Sequence, residues 1–87
     1  MVSKKLTVTN AQGFHMRPAM AFVAEMGKFP CKITLVVNGN ETDGKSLMNI
    51  IAACIKCGTE IEIICDGERE AEALEVAVNM VESGFGE

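Results

Sequence analysis

The chain contains a single histidine, His15, with Arg17 two residues on and Pro18 immediately after it. An imidazole has a reference pKa of about 6.5, so near neutrality one ring nitrogen is a nucleophile. Such a nitrogen can attack a phosphoryl group and hold it covalently as a labile phosphoramidate. A guanidinium two residues away can grip the oxygens of the same group. No Walker-type glycine-rich loop is present to bind a nucleotide. No paired nucleophile and base surrounds the histidine, and no cofactor is implied. By residue type alone two readings stand side by side: a phosphoryl acceptor, or a histidine that caps a helix next to a surface arginine.

The other reactive residues are the cysteines Cys31, Cys54, Cys57 and Cys65. Cys54-Ile-Lys-Cys57 is a C-x-x-C pair, a spacing used by redox dithiols and by half of a zinc site. A zinc site needs more ligands, and the remaining candidates sit far away or in apolar strands. The reading preferred here is that all four are small buried hydrophobes in a reducing compartment, with no metal site.

Composition narrows the partners. The formal charge is −4 with the six lysines and two arginines scattered, which argues against nucleic acid. No stretch is long and apolar enough to span a membrane. The N-terminal Met-Val-Ser-Lys-Lys runs into alternating Thr and Val and not into an apolar signal core, so a cytoplasmic protein is expected. Trp and Tyr are absent, which leaves four phenylalanines and six methionines to bulk out one small domain over residues 1–87.

The elements that must position His15 can be read from periodicity. Residues 2–9 alternate as a strand, with Leu6 and Val8 on one face and Lys5, Thr7 and Thr9 on the other. Asn10 to Gly13 reads as a turn. A helix from about Met16 to Gly27 buries Ala19, Phe22, Val23 and Met26. Residues 31–37 form a strand that inserts Ile33, Leu35 and Val37. Asn38-Gly39 calls for a type I′ hairpin turn, returning into a polar edge strand at 40–43. A second helix runs from Leu47 to Cys54 or beyond, with Ser46 as its N-cap. Residues 60–66 alternate as a fourth strand, and 69–83 form a last helix with Ala71, Leu74, Val78 and Val81 inward. Gly84 caps that helix, and Phe85-Gly86-Glu87 form the tail. The order β-α-β-β-α-β-α, with polar alternates Lys5, Thr7, Lys32, Thr34, Glu60 and Glu62, predicts an open-faced α+β sandwich.

His15 therefore falls where a strand hands over to a helix. The unbonded N–H groups and the dipole at a helix start favour an anion there. Phe14, Met16 and Met20 lie off the helix stripe, and the second helix has more apolar residues than one stripe needs. Exposed apolar residues around a charged centre suggest a protein docking surface. That shifts the balance toward the phosphoryl acceptor.

Gly13-Phe14-His15-Met16-Arg17-Pro18-Ala19, the Asn38-Gly39 turn, Lys45-Ser46-Leu47-Met48 and Gly58 together resemble the HPr family, over nearly the whole chain. HPr proteins are the phosphohistidine carriers of the bacterial phosphoenolpyruvate-dependent sugar phosphotransferase system. The resemblance implies an HPr-like open-faced β-sandwich: a four-stranded antiparallel sheet with three helices on one face. It implies a covalent carrier and not an enzyme. His15 would take a phosphoryl group on Nδ1 from phosphorylated enzyme I and pass it to sugar-specific IIA domains, with Arg17 assisting. Ser46 would be a regulatory site for an ATP-dependent HPr kinase/phosphorylase. Phe14, Met16, Met20, Leu47, Met48 and Ile51 would form the docking surface of a monomer. Phe14 stands where the family commonly has isoleucine or leucine, and Met16 where it commonly has alanine. Asn49 and Cys54 stand where glycines are frequent. The alternative is an HPr-like regulatory protein that binds a transcriptional regulator or metabolic enzyme in a phosphorylation-dependent way.

Overall fold

The computed structural model describes residues 1–86. The elements follow as β1 (Val2–Thr7), α1 (Met16–Met26), β2 (Lys32–Val37), β3 (Asn40–Asp43), α2 (Leu47–Ala52), β4 (Glu60–Asp66) and α3 (Glu70–Glu82), with a short 3₁₀ turn at Gly84–Gly86. The strands form one antiparallel sheet in the order β1-β4-β2-β3. Asn38 and Gly39 hold φ of 52° and 81°. That is the pair of positive angles a type I′ turn requires, and it sets the β2–β3 register at Val37 opposite Asn40.

Alternation decides which face is covered. Ile33, Leu35 and Val37 from β2 and Ile61, Ile63 and Cys65 from β4 are all buried on the helix side. Each such aliphatic side chain contributes about 1.5–3 kcal/mol when removed from water. The other face carries Lys5 opposite Glu62 and Lys32 opposite Asp66, so its charges are paired by sign across strands. Two apolar residues, Val36 and Ile64, share that face and are half-buried. Lys4 lies in the register of the covered face, opposite Ile63. At the sheet edge its ammonium reaches Glu82 of α3 at 3.9 Å.

α1 buries Pro18, Ala19, Phe22 and Met26. α3 buries Ala73, Ala77, Val78 and Val81. Two of those four are alanines, which lets α3 lie close to β1 and β4. The expected inward position of Ala71 is wrong: it is exposed. It lies in the first turn of α3, while Leu74 is half-buried and Val78 and Val81 of the same expected stripe are buried.

Two further expectations are corrected. β1 ends at Thr7: Val8 N–H bonds Thr59 O at 3.0 Å, but Val8 O takes the Gly58 N–H at 2.8 Å while Thr59 N–H turns to Lys56 O at 3.1 Å, so the residue-for-residue pairing with β4 breaks there. α2 stops at Ala52, and Cys54 turns into the left-handed region at φ 53°. This early stop lets Ile55 turn inward, where it is 3% exposed. It also leaves Cys54 and Cys57 exposed, so only Cys31 and Cys65 are the buried cysteines that the sequence suggested for all four. Burial, with Cys31 and Glu70 adding smaller effects, pushes the Cys65 thiol from an ordinary 9.0 up to about 11.

Candidate functional site: the His15 loop

The loop between β1 and α1 is bonded down on both sides of His15. Gly13 N–H closes a turn onto Asn10 O at 3.0 Å, and the Asn10 side-chain amide donates back to Gly13 O. Asn10 is buried, so this turn is built from the inside. Gly13 holds φ +63°, and its Cα faces the backbone of Ile55 and Lys56 with no room for a side chain. Phe14 N–H then donates to Ile55 O at 2.9 Å. On the far side of His15, Pro18 and Ala19 are buried, and Ala19 N–H donates to His15 O at 3.0 Å as the first helical bond.

Phe14 is the main correction to the expected docking surface. Its ring is 3% exposed and belongs to the core. It packs edge-on against Phe22 (centroids 5.4 Å apart, planes at 82°) and Phe85 (4.7 Å, 73°). Such edge-to-face pairs add about 0.5–1.5 kcal/mol beyond burial. The aromatic before the histidine therefore anchors the loop from beneath and is not presented to a partner.

His15 itself is half-buried and occupies the N-cap position of α1 in extended geometry, φ −75° and ψ −176°. Its imidazole makes no capping hydrogen bond to the helix, contrary to the capping reading. Arg17 is exposed, and both side chains line one shallow open concavity together with Ala11 and Gln12. The first turn of α1 carries no acidic residue, so the helix itself places no negative side chain at the positive end of its dipole. Pro18, which lacks an N–H, falls in the first turn, where no helical bond is lost. A nucleophilic ring, a guanidinium and a helix N-terminus thus converge on one surface recess. Gln12 and Asn10 were missed from the sequence; the polar run before Gly13 was the only sign of them.

Ser46 caps α2 as expected: its Oγ accepts the Asn49 N–H at 3.3 Å. It lies outside the His15 concavity. Lys45 is held structurally, with its N–H on Asp43 Oδ1 at 2.9 Å and its ammonium on Phe29 O. Met16, Met20 and Met48 are 52%, 54% and 76% exposed, while Leu47 and Ile51 are half-buried. α1 and α2 touch, so these methionines stand on adjacent helices. Among the described residues no three His, Cys, Asp or Glu side chains are grouped to hold a metal ion. No helix there is long and apolar enough to cross a membrane.

The family model described as "PTS HPr component phosphorylation site" matches residues 2–83. The chain belongs to the HPr family. It is 36% identical to the phosphocarrier protein HPr of Xylella fastidiosa (strain Temecula1), an alignment covering 100% of this chain and 98% of that one. It is also 37% identical to the HPr-like protein Crh of Bacillus subtilis, over 86% of this chain and 88% of that one. The crystal structure of HPr-C-His from Thermoanaerobacter tengcongensis superposes with a TM-score of 0.96 at 31% identity, covering 100% of this chain and 98% of that one. HPr proteins relay phosphoryl groups from enzyme I to IIA domains of the phosphotransferase system, and this chain is such a phosphocarrier, not an enzyme. The fold expected from the HPr resemblance is the one found.

Proposed function

We propose that His15 is the residue that carries the phosphoryl group and that Arg17 holds its oxygens. The observation behind this reading is the shared concavity of the two side chains at the N-terminus of α1. A ring nitrogen of His15, Nδ1 by resemblance to the family, attacks the phosphorus of the phosphohistidine on enzyme I. The new N–P bond forms as the donor's N–P bond breaks, and the donor imidazole keeps that electron pair. Preorganised donors and positive charge stabilise the phosphoryl oxygens in transit. The reverse attack by an acceptor histidine on a IIA domain discharges the carrier. Neither step needs a cofactor.

Met16, Met20, Leu47, Met48 and Ile51 are the contacts both partners use, with the exposed methionines as adaptable apolar anchors. Ser46 is the regulatory site of an HPr kinase/phosphorylase. A phosphate there adds about −1.5 to −2 charges within two residues of Met48, the most exposed of these anchors. It repels an acidic partner without rebuilding the fold. A monomer in the cytoplasm fits a carrier that must meet several partners in turn.

The deciding experiment is incubation with enzyme I and radiolabelled phosphoenolpyruvate. Acid-labile, base-stable label is expected on the wild type and absent from His15→Ala. Label on the alanine variant, or none on the wild type, rejects the assignment. The second reading, a regulatory protein bound by a transcriptional regulator or metabolic enzyme, draws on the likeness to Crh and on the placing of Ser46 beside Met48. It requires label on Ser46 from HPr kinase and ATP, and binding of such a partner that depends on that label.

A further inference from the structure

The C-x-x-C pair has no part in the phosphoryl relay, yet it brackets the segment on which the His15 loop rests. Ile55 O accepts the Phe14 N–H, and the backbones of Ile55 and Lys56 fill the space beneath Gly13. Gly58 N–H donates to Val8 O, and the Cys57 thiol lies 3.7 Å from Thr9 O as its donor. Four successive residues between the ends of α2 and β4 thus form a pad for residues 8–14. Both thiols at its margins are exposed.

The backbone here is already reversing. Ala53 closes α2, Cys54 is left-handed, and Thr59 N–H bonds Lys56 O at 3.1 Å in a turn. No helical ladder holds Cys54 and Cys57 apart, and two intervening residues is the spacing of exchangeable dithiols. The other two thiols do not compete, because Cys31 and Cys65 are 2% and 0% exposed.

We propose that Cys54 and Cys57 are a reversible dithiol pair, closed by peroxide into a disulfide that loosens the pad under His15 and slows phosphoryl acceptance. One thiolate attacks a peroxide oxygen; the O–O bond breaks, leaving a sulfenic acid and hydroxide, which takes a proton to become water. The second thiol attacks the sulfenic sulfur; the S–S bond forms, the S–O bond breaks, and a second water leaves. The two sulfurs give up two electrons and the peroxide takes them. Bringing the sulfurs to bonding distance pulls Cys57 off Thr9 O and bends the chain at Ile55, whose carbonyl holds Phe14. A dithiol reductant restores the open form.

The coupling to phosphoryl transfer rests on the His15 assignment above, so the test carries readouts independent of it. The full chain is treated with hydrogen peroxide, the peroxide is removed with catalase, and the product is mapped by mass spectrometry. The expected product has lost two hydrogens, with Cys54 linked to Cys57, and reverts in dithiothreitol. Hydrogen exchange at the Phe14 amide is expected to rise several-fold on oxidation. The initial rate of His15 labelling by enzyme I should fall several-fold. A Cys54→Ser/Cys57→Ser double variant should label at the reduced wild-type rate before and after peroxide. Sulfinic or sulfonic products, cross-linked dimers, or a disulfide that moves neither Phe14 exchange nor labelling overturns the proposal. Failure of the reduced protein to take label rejects the His15 assignment instead, and the mass and exchange data still judge the dithiol.

Discussion

Gly13 lies so close to Ile55 that a Cβ on residue 13 would stand 2.3 Å from the Ile55 carbonyl oxygen. Backbone meets backbone there, and neither side has a flexible group that can yield. Gly13→Ala is therefore expected to destabilise by at least about 3 kcal/mol: roughly 1–2 from the left-handed φ and the rest from backbone displacement. The rate of phosphoryl acceptance should fall with it, because His15 follows two residues later. Urea denaturation checks the first part; a wild-type midpoint in the alanine variant contradicts it.

Cys54 presents the opposite case. It holds φ 53° at the end of α2 with a side chain attached. Glycine is favoured at such positions because the left-handed backbone penalises a Cβ. Cys54→Gly is expected to raise stability by about 0.5–1 kcal/mol, after allowing for the greater freedom of glycine in the unfolded chain, or roughly 2–6 °C in thermal midpoint. A drop in the midpoint would mean that the Cys54 side chain makes a contact worth more than the strain.

Exposure separates the apolar residues near His15 into two groups with different mutational behaviour. Met48→Asp and Met16→Asp alter side chains that are 76% and 52% exposed, so folding should change by no more than about 0.5 kcal/mol. Loss of partner contact should raise the KM for transfer from enzyme I at least about tenfold, which is about 1.4 kcal/mol. Phe14→Ala should cost about 3–5 kcal/mol of stability, since it empties a buried ring site. Equilibrium unfolding and steady-state phosphotransfer on the three variants distinguish these outcomes. An unfolded Met48→Asp or a stable Phe14→Ala contradicts them.

Stability should narrow at both ends of the pH range. The Glu70 carboxyl is held below its ordinary value by the N-terminal ammonium, 2.8 Å away, and by the Gly67 N–H. A depressed carboxyl stabilises the fold above its unfolded pKa of about 4.3, and that contribution is lost as pH falls through its folded value. The ammonium is raised in turn, chiefly by its hydrogen bond to Glu70, so its contribution is lost as pH rises beyond about 8.0. Cys65 adds an alkaline component. From pH 9.0 to about 11 the unfolded thiol ionises while the buried one does not, and stability falls across that window. Thermal midpoints against pH should show both limbs. Glu70→Gln should flatten the acid limb and the onset of the alkaline one. An unchanged profile in that variant rules out the pairing as the cause.

Much of this could be read from the chain wherever a local rule governed. Asn38-Gly39 demanded its turn, Ser46 its cap, and strict alternation at 60–66 its strand. His15 and Arg17 were legible as a pair because two residues across a helix start bring them to one recess. The misreadings share a different cause. Phe14 looked exposed because it lies off the α1 stripe; the ring that covers it, Phe85, comes from the far end of the chain. A free cysteine usually behaves as a small buried hydrophobe, and that general rule misplaces Cys54 and Cys57, which the early end of α2 leaves exposed. Where α2 stops is tied to Ile55 turning in to meet Phe14, a pairing across 41 positions that no local pattern reports. Helical spacing extends the α3 stripe one turn too far toward its start, so it takes in Ala71, which is exposed, along with Val78 and Val81, which are buried.

β1 is an edge strand whose sole neighbour is β4, with Leu6 opposite Ile61. This arrangement has a consequence for the protein as it is made. The histidine motif leaves the ribosome early, but the strand and the pad that shape it are translated late. Long-range pairing of this kind forms only once both ends of the loop exist. A nascent or truncated chain ending before residue 55 carries every residue of the motif but lacks the Ile55 carbonyl that takes the Phe14 N–H, the Ile55–Lys56 backbone beneath Gly13 and the Phe85 ring. On the His15 assignment proposed above, a chain cut before residue 55 is expected to take label from enzyme I more slowly than the full-length chain.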